Sequence, residues 1–251
     1  MSSLAGLGWL LLCAGLLLIL QRGLHRQIQG VFLLLTRNPG IAQVLFALLF
    51  LPGVFLHELS HYLMARLLGV RTGRFSLIPV AIDSQRLQLG YVETDQTDLA
   101  RDALIGMAPL LSGGSLVAYI GLARFDLPGL WNGLRLGDLS VLEQAWLTMY
   151  RRPDFWLWLY LAFVVSSTML PSRSDRRAWL PAVVLIILLV LLSLLVGAGP
   201  WLMENLAAPV SAALRSAAFV FGVSAAIHLL FLPPVFLLRL LLERLSGLRI
   251  A

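Results

Sequence analysis

The sequence predicts an all-α polytopic membrane protein with about six transmembrane helices and a small β-hairpin between the second and third. Of its 251 residues, 59% are hydrophobic and 13% are charged, with a mean hydropathy of +0.86. Soluble domains carry about 25% charged residues, so this composition excludes an ordinary soluble protein. Several apolar runs also reach the roughly 20 residues that a helix needs to cross a bilayer. We interpret residues 1–251 as a single membrane domain.

The charge pattern favours lipid over nucleic acid as a partner. The net charge is +6, and every basic residue is an arginine. These arginines lie at the ends of apolar runs, where topology determinants and lipid headgroup contacts occur, and they form no single patch of the kind that binds nucleic acid. The one cysteine, Cys13, lies in the first apolar run. It excludes an intrachain disulfide and a cysteine-based zinc site.

The apolar runs predict the order of the helices. A first span covers residues 4–20, and residues 21–40 are predicted to form an interfacial helix or connector in which His25 is solvated, with Asn38-Pro39-Gly40 as a breaker. The second span, residues 41–68, contains Pro52-Gly53, which we expect to kink or widen the helix.

Residues between the second and third spans change character. From Arg74 to Glu93, polar and apolar residues partly alternate on either side of Asp83-Ser84-Gln85. This pattern predicts a β-hairpin with a turn at those three residues. Because Pro79 cannot donate a ladder hydrogen bond, its strand is expected at an edge.

The third span, residues 100–123, is rich in small residues and contains Pro109. Two interpretations stay open: close helix packing, or an irregular turn whose backbone faces a cavity. The remaining elements are a surface helix at 139–150 and spans at 155–170, 178–197 and 210–238, the last opening after Pro209 and broken at Pro233-Pro234. For His228 we favour a helix–helix hydrogen bond over a metal role.

A metal-binding pattern lies in the second span, within Phe55-Leu-His-Glu-Leu-Ser-His-Tyr62. His57 and His61 are four residues apart and therefore share one face of a helix, where both imidazoles can bind one metal ion. Glu58 lies close enough to act on water at that metal without being a ligand. The alternative is a polar trio whose hydrogen bonds are satisfied by neighbouring helices in a transport or scaffold protein.

A third ligand is needed, because a catalytic zinc takes three protein ligands and leaves one position open. Asp175 is the best candidate, since it follows a span and the helix-breaking Pro171 at the expected depth. The alternative is a surface aspartate that pairs with Arg173, Arg176 or Arg177. A small excess of arginines predicts that the N-terminus, the C-terminus and the site all face the cytoplasm.

These motifs, in this order, resemble the site-2 protease family of intramembrane zinc metalloproteases. The matching features are the H-E-x-x-H helix, the hairpin, the Ala108-Pro109-Leu110 motif in a small-residue span, and Asp175 after Pro171. The resemblance covers about residues 41–178, leaving an extra helix at 4–20 and C-terminal helices at 178–238. It implies that His57, His61 and Asp175 bind Zn²⁺, that Glu58 is the catalytic base, and that the protein belongs to a prokaryotic cytoplasmic membrane.

The expected function is therefore zinc-dependent hydrolysis of a peptide bond in or near a transmembrane segment of a membrane-protein substrate. The Arg74 to Glu93 hairpin could bind an unwound substrate segment through its edge strand. The competing hypothesis is a non-catalytic membrane scaffold that keeps the metalloprotease fold and cleaves nothing.

Overall fold

The structure is a computed structural model that describes residues 3–78, 80–83 and 86–248. Its helices are α1 (Ser3–Thr36), α2 (Pro39–Leu67), α3 (Leu99–Tyr119), α4 (Leu127–Leu136), α5 (Leu139–Tyr150), α6 (Phe155–Thr168), α7 (Trp179–Leu195) and α8 (Gly199–Ser246). A π-helical turn, Ile120–Arg124, continues α3. The strands are β1 (Thr72–Ser76), β2 (Val80–Asp83), β3 (Arg86–Gln88) and β4 (Tyr91–Thr94).

Four of the described helical segments are long and apolar enough to cross a membrane: Gly6–Thr36, Pro39–Leu67, Leu99–Arg124 and Gly199–Ser246. Two further apolar helices, α6 and α7, are shorter. A largely helical, multi-pass membrane architecture is therefore supported, but the prediction of six spans is not confirmed.

Helix α1 differs from its prediction. It runs unbroken through the region expected to be a separate interfacial helix or connector. Two glycines in that region face α8, where Gly23 lies against Leu232 and Gly30 against Arg239. Packing against α8 thus continues the first helix where a separate interfacial element was predicted. The solvated position expected for His25 is also wrong, because its ring packs between Phe46 and Phe50 of α2, at centroid distances of 5.4 and 4.9 Å.

Helix α8 is also longer than predicted. It begins ten residues before Pro209 and continues through Pro233 and Pro234, so neither the predicted start nor the predicted break occurs. Proline is tolerated inside membrane helices when neighbouring groups satisfy the freed carbonyls. Contacts with α1 extend along α8 from Leu214 to Arg239, and this packing keeps the element helical.

The contacts between helices fix their directions. Helices α1 and α8 are parallel, because Gly6 faces Leu214 and Gly30 faces Arg239. Helices α2 and α6 are parallel too. The Tyr160 hydroxyl donates to the Leu49 carbonyl at 2.8 Å. Farther along both helices, Gly53 faces Val164 and His57 contacts Thr168.

Two other pairs are antiparallel. Gly113 faces Met169 while Gly106 faces Asp175, so α3 runs against the chain direction of α6 and the turn after it. Ser167 meets His228 at 2.9 Å and Phe163 meets Phe231 at a centroid distance of 4.8 Å, so α6 opposes α8. The directions of α1, α2, α3, α6 and α8 therefore alternate along the chain.

This arrangement bears on the predicted sidedness. The start of α1 lies at the same end of the bundle as the end of α2, but the end of α8 lies at the opposite end. The expectation that both termini share the side of the site does not fit these contacts. The arginines at the end of α8, among them Arg239 and Arg244, leave the site side, and the arginine excess that favoured a cytoplasmic site is lost with them.

Helix α7 connects α6 to α8 and packs little against the rest of the described bundle. None of its residues is buried, and its sequence, WLPAVVLIILLVLLSLL, is apolar on every face. A helix that is hydrophobic all round and unburied by protein suits contact with lipid.

The predicted β-hairpin is present among the described residues as two nested antiparallel pairs. Strand β1 pairs with β4, with Phe75 opposite Val92, and β2 pairs with β3, with Ala81 opposite Leu87. These four strands lie at nearly the same residues as the predicted hairpin. Pro79 and the Ser84-Gln85 part of the predicted turn lie outside the described residues.

Local capping accounts for where the helices begin. The Asn38 side chain accepts hydrogen bonds from the first amides of α2, and Pro39 occupies its first turn. The Asp98 carboxylate accepts from the Arg101 amide at the start of α3. Helix α5 coincides with the predicted surface helix, whereas α4 was not predicted.

Candidate metal centre

The two histidines of the H-E-x-x-H motif lie side by side on α2. Their Nε2 atoms are 3.2 Å apart, and both side chains are largely buried, with about a tenth of each exposed to solvent (13% for His57 and 10% for His61). The spacing of four residues on a helix produces this juxtaposition, as the sequence predicted.

Hydrogen bonds at the other ring nitrogens determine which atoms face each other. His57 Nδ1 lies 2.7 Å from the Thr168 carbonyl oxygen, and His61 Nδ1 lies 2.9 Å from the Ile105 carbonyl oxygen. A carbonyl only accepts, so both Nδ1 atoms carry the proton and both Nε2 atoms of the neutral rings present a lone pair. Two lone pairs at 3.2 Å repel each other unless a metal ion or a proton lies between them, so this geometry is compatible with a shared metal ion.

The sequence explains why both carbonyls are free. Thr168 ends α6, where the last carbonyls of a helix have no intrahelical donor. The carbonyl of Ile105 would normally bond the amide of residue 109, but Pro109 has no N–H to give. Each imidazole is thus oriented by a backbone acceptor that the helix itself leaves unsatisfied.

Asp175 completes a group of three. Its Oδ2 lies 3.6 Å from His57 Nε2 and its Oδ1 lies 3.4 Å from His61 Nε2. The Ser172 amide donates to Oδ2 at 2.6 Å and holds the carboxylate in a tight turn after Pro171.

The neighbouring arginines have other partners. Arg177 forms a two-pronged pair with Asp102, at 2.8 and 2.9 Å, and Arg176 donates to the Ser172 carbonyl. The hydrogen bonds that Arg177 donates to the Asp102 carboxylate raise the pKa of Arg177 above its usual value. The Arg177 pair ties the turn that carries Asp175 to α3, and the Arg176 contact closes the turn on itself.

The dimensions suit a four-coordinate metal. Bonds of about 2.0 to 2.1 Å in a tetrahedron separate the ligand atoms by about 3.3 to 3.4 Å. The two Nε2 atoms are 3.2 Å apart, and each lies 3.4 to 3.6 Å from a different carboxylate oxygen of Asp175. Among the described residues, His57, His61 and Asp175 can each offer one ligand atom, with these atoms within 4.8 Å of one another, so the group could hold a metal ion. Two neutral imidazoles and one carboxylate match the donors that zinc takes in catalytic sites, with the fourth position left open.

Glycines bring the three chain segments this close. A Cβ at Gly106 would overlap the Asp175 carbonyl oxygen, and a Cβ at Gly53 would lie 2.5 Å from both the Val164 carbonyl oxygen and the Thr168 hydroxyl. The predicted close packing of the small-residue span is therefore present. Gly53 serves the same purpose in α2, which continues through Pro52.

Glu58 lies beside the histidines and is 8% exposed. The segment between β3 and β4 covers it, and a Cβ at Gly90 would lie 2.9 Å from Glu58 Cγ and 3.0 Å from Val54 Cγ1. The hairpin therefore adjoins the metal-binding group.

The sequence did not indicate two residues that shape the site, Ile105 and Gly90. One signal was available, because a proline four residues after Ile105 marks a free carbonyl. His228 makes the helix–helix hydrogen bond that we favoured, to the Ser167 hydroxyl.

Comparison with known proteins adds no relative. No protein-family model matches the chain, and neither a curated protein nor a solved structure matches it.

Proposed function

We propose that this protein is an intramembrane zinc metalloprotease that hydrolyses a peptide bond in or near a transmembrane segment of a membrane-protein substrate. The observation that carries the proposal is the convergence of His57, His61 and Asp175 beside Glu58 in a bundle of apolar helices. Ionisable residues at membrane depth are costly and are usually functional. The order of these motifs along the chain, which resembles the site-2 protease family, supports the same assignment.

The proposed roles follow from the geometry. His57, His61 and Asp175 would hold the zinc ion, which when bound supplies a Lewis acid and lowers the pKa of water. The Thr168 and Ile105 carbonyls orient the two imidazoles. Glu58 takes the proton of the attacking water and passes it to the leaving amine.

Substrate binding is assigned to the hairpin. Helical peptide bonds are shielded by their own hydrogen bonds, so a transmembrane substrate must unwind before cleavage. Strands β1 and β4 form a two-stranded sheet next to Glu58, and an extended substrate segment can add to such an edge.

A membrane scaffold that binds metal but cleaves nothing is the alternative, and the variant Glu58→Gln separates the two. It keeps the size of the side chain but cannot act as a base. We expect near wild-type zinc content and at least a roughly 100-fold loss of cleavage of a transmembrane substrate in proteoliposomes. Wild-type cleavage by Glu58→Gln would refute the protease mechanism.

The ligand assignment has its own test. Asp175→Asn replaces a carboxylate with a poorer ligand, so zinc content should fall together with activity. Asp102→Asn is the comparison: it weakens the Arg177 pair that holds this turn against α3 but keeps all three proposed ligands, so its zinc content should fall less than that of Asp175→Asn. Full zinc content in Asp175→Asn would remove Asp175 from the site.

A further inference from the structure

A buried polar cluster lies directly behind the metal centre and joins α1, α6 and α8 at Ser167. The Ser167 hydroxyl lies 2.9 Å from His228 Nε2, and the Ser167 carbonyl accepts from Gln21 Nε2 at 2.6 Å. His228 Nδ1 in turn lies 2.8 Å from the Ser224 carbonyl. His228 and Ser224 are fully buried, and Ser167 is 3% exposed.

The direction of these hydrogen bonds follows from their partners. Because the Ser224 carbonyl can only accept, His228 carries its proton on Nδ1 and accepts at Nε2 from the Ser167 hydroxyl. Ser166 and Thr168, on either side, donate instead to carbonyls of their own helix, those of Phe163 and Val164. Of these three consecutive hydroxyls, the one at Ser167 is the one that reaches another helix.

The cluster bears on the metal centre through one peptide unit. The residue after Ser167 is Thr168, whose carbonyl orients His57. The last carbonyls of α6 lack helical donors, so their orientation depends on partners from other elements. Anchoring Ser167 from both α1 and α8 therefore fixes the height and rotation of the Thr168 carbonyl.

We propose that His228 is a positioning residue for the metal centre, acting with Gln21 through Ser167 and Thr168 on His57. The proposal rests on the metal centre assigned above. In this proposal α1 and α8, which lie outside residues 41–178, contribute to metal binding by positioning His57. Hydrogen-bond partners of metal ligands commonly contribute 10-fold to 100-fold to metal affinity. We expect an effect at the lower end, about tenfold, because His228 acts two residues removed from the ligand.

Two amide variants of His228 form a matched pair. In His228→Gln the amide oxygen lies near the position of Nε2 and can still accept from Ser167. In His228→Asn the shorter amide lies near Nδ1, so it keeps the Ser224 bond and loses Ser167. A second pair is Ser167→Ala with Ser166→Ala as its control, since both delete a buried hydroxyl from α6.

The measurement is Co²⁺ binding to the purified full chain in detergent or lipid, read by visible absorption, which reports both affinity and coordination geometry. We expect His228→Asn and Ser167→Ala to bind Co²⁺ about tenfold more weakly than wild type, with an altered spectrum. His228→Gln and Ser166→Ala should stay close to wild type in both. Melting temperatures of all four identify any variant that loses metal simply by unfolding.

The outcomes separate this proposal from the proposed function. If His228→Asn and Ser167→Ala both keep the Co²⁺ affinity and the absorption spectrum of the wild type, the positioning role is overturned. The proposed protease function is unaffected by that result if the wild type cleaves its substrate. Equal weakening by His228→Gln and His228→Asn would also overturn the positioning role, because the Ser167 bond would then be irrelevant. If the wild type binds Co²⁺ and the variants behave as expected but no substrate is cleaved, the protease function is refuted and the positioning role of His228 stands. A wild type that binds no metal overturns both.

Discussion

At the scale of single residues, the candidate site depends as much on missing groups as on present ones. Pro109 matters because it lacks an N–H, which leaves the Ile105 carbonyl to His61. Gly106 matters because it lacks a Cβ, which lets the Asp175 backbone approach α3. Polar residues can be found in a sequence by their chemistry, whereas these two act by absence. The sequence therefore predicted the histidine pair and the close packing of the small-residue span, but not which backbone groups that packing would bring to the site.

Gly106 offers a direct test of this close approach. In Gly106→Ala the new methyl would overlap the Asp175 carbonyl oxygen, so the turn that carries Asp175 must shift away from the histidines. We expect zinc affinity to fall at least about tenfold and stability to fall by about 1 to 3 kcal/mol from overpacking. Isothermal titration with zinc and thermal unfolding measure the two effects.

Gly114→Ala is the control on the same helix. A Cβ there would meet Val220 Cγ1 at 3.6 Å, an ordinary contact. Its zinc affinity should match wild type, and alanine's better helix propensity favours stability. Equal zinc affinity in Gly106→Ala and Gly114→Ala would show that the approach of α3 to Asp175 does not position the ligand.

At the scale of elements, periodicity and turn chemistry predicted the middle of the chain better than its ends. The second span, the hairpin and the surface helix at 139–150 lie close to their predicted positions, because each has a local signal such as the Asn38 cap. The boundaries of α1 and α8 were wrong. Their extent depends on packing against each other, a long-range contact between residues about two hundred positions apart that no local pattern reveals.

The contact between α2 and α6 gives a prediction at this scale. Gly53 and His57 lie on one face of α2, opposite Val164 and Thr168. In Gly53→Ala the methyl would meet the Val164 carbonyl oxygen at 2.5 Å, and backbone cannot rotate aside as a side chain can. The helices must separate, so we expect a loss of about 1 to 3 kcal/mol in stability.

Because that separation also draws the Thr168 carbonyl away from His57, zinc affinity should fall in the same variant. The comparison is Gly15→Ala in α1, where a Cβ would have no neighbour within 4 Å. That change should leave unfolding and zinc binding near wild type. If Gly53→Ala unfolds and binds zinc as Gly15→Ala does, close packing of α2 on α6 is not required for the site.

At the scale of the whole molecule, composition was sufficient for the membrane class but not for the number of passes. Residues 178–197 are apolar enough to be predicted as a span, although the helix α7 found there is shorter than the four candidate spans. The parallel direction of α1 and α8 favours a five-pass arrangement of α1, α2, α3, α6 and α8, with α7 outside it. Whether α7 crosses the membrane depends on where its two ends lie relative to the other helices, and a hydropathy profile gives no information about that.

The five-pass arrangement predicts which loops share a side of the membrane. Asp95, after β4, and Arg173, before Asp175, lie at the end of the bundle that holds the metal centre. Arg37, between α1 and α2, and Arg244, near the end of α8, lie at the other end. A six-span arrangement would instead place Arg244 on the same side as Asp95.

Single cysteines at these four exposed positions, introduced into a Cys13→Ser background, distinguish the two arrangements. Each variant is treated with a membrane-impermeant thiol reagent, in intact cells and after permeabilisation. We expect Asp95→Cys and Arg173→Cys to behave alike, and Arg37→Cys and Arg244→Cys to show the opposite accessibility. Zinc content of each variant controls for folding. Labelling of Arg244→Cys together with Asp95→Cys would mean that α7 crosses the membrane, and that the direction of α8 relative to α1 is not the one described.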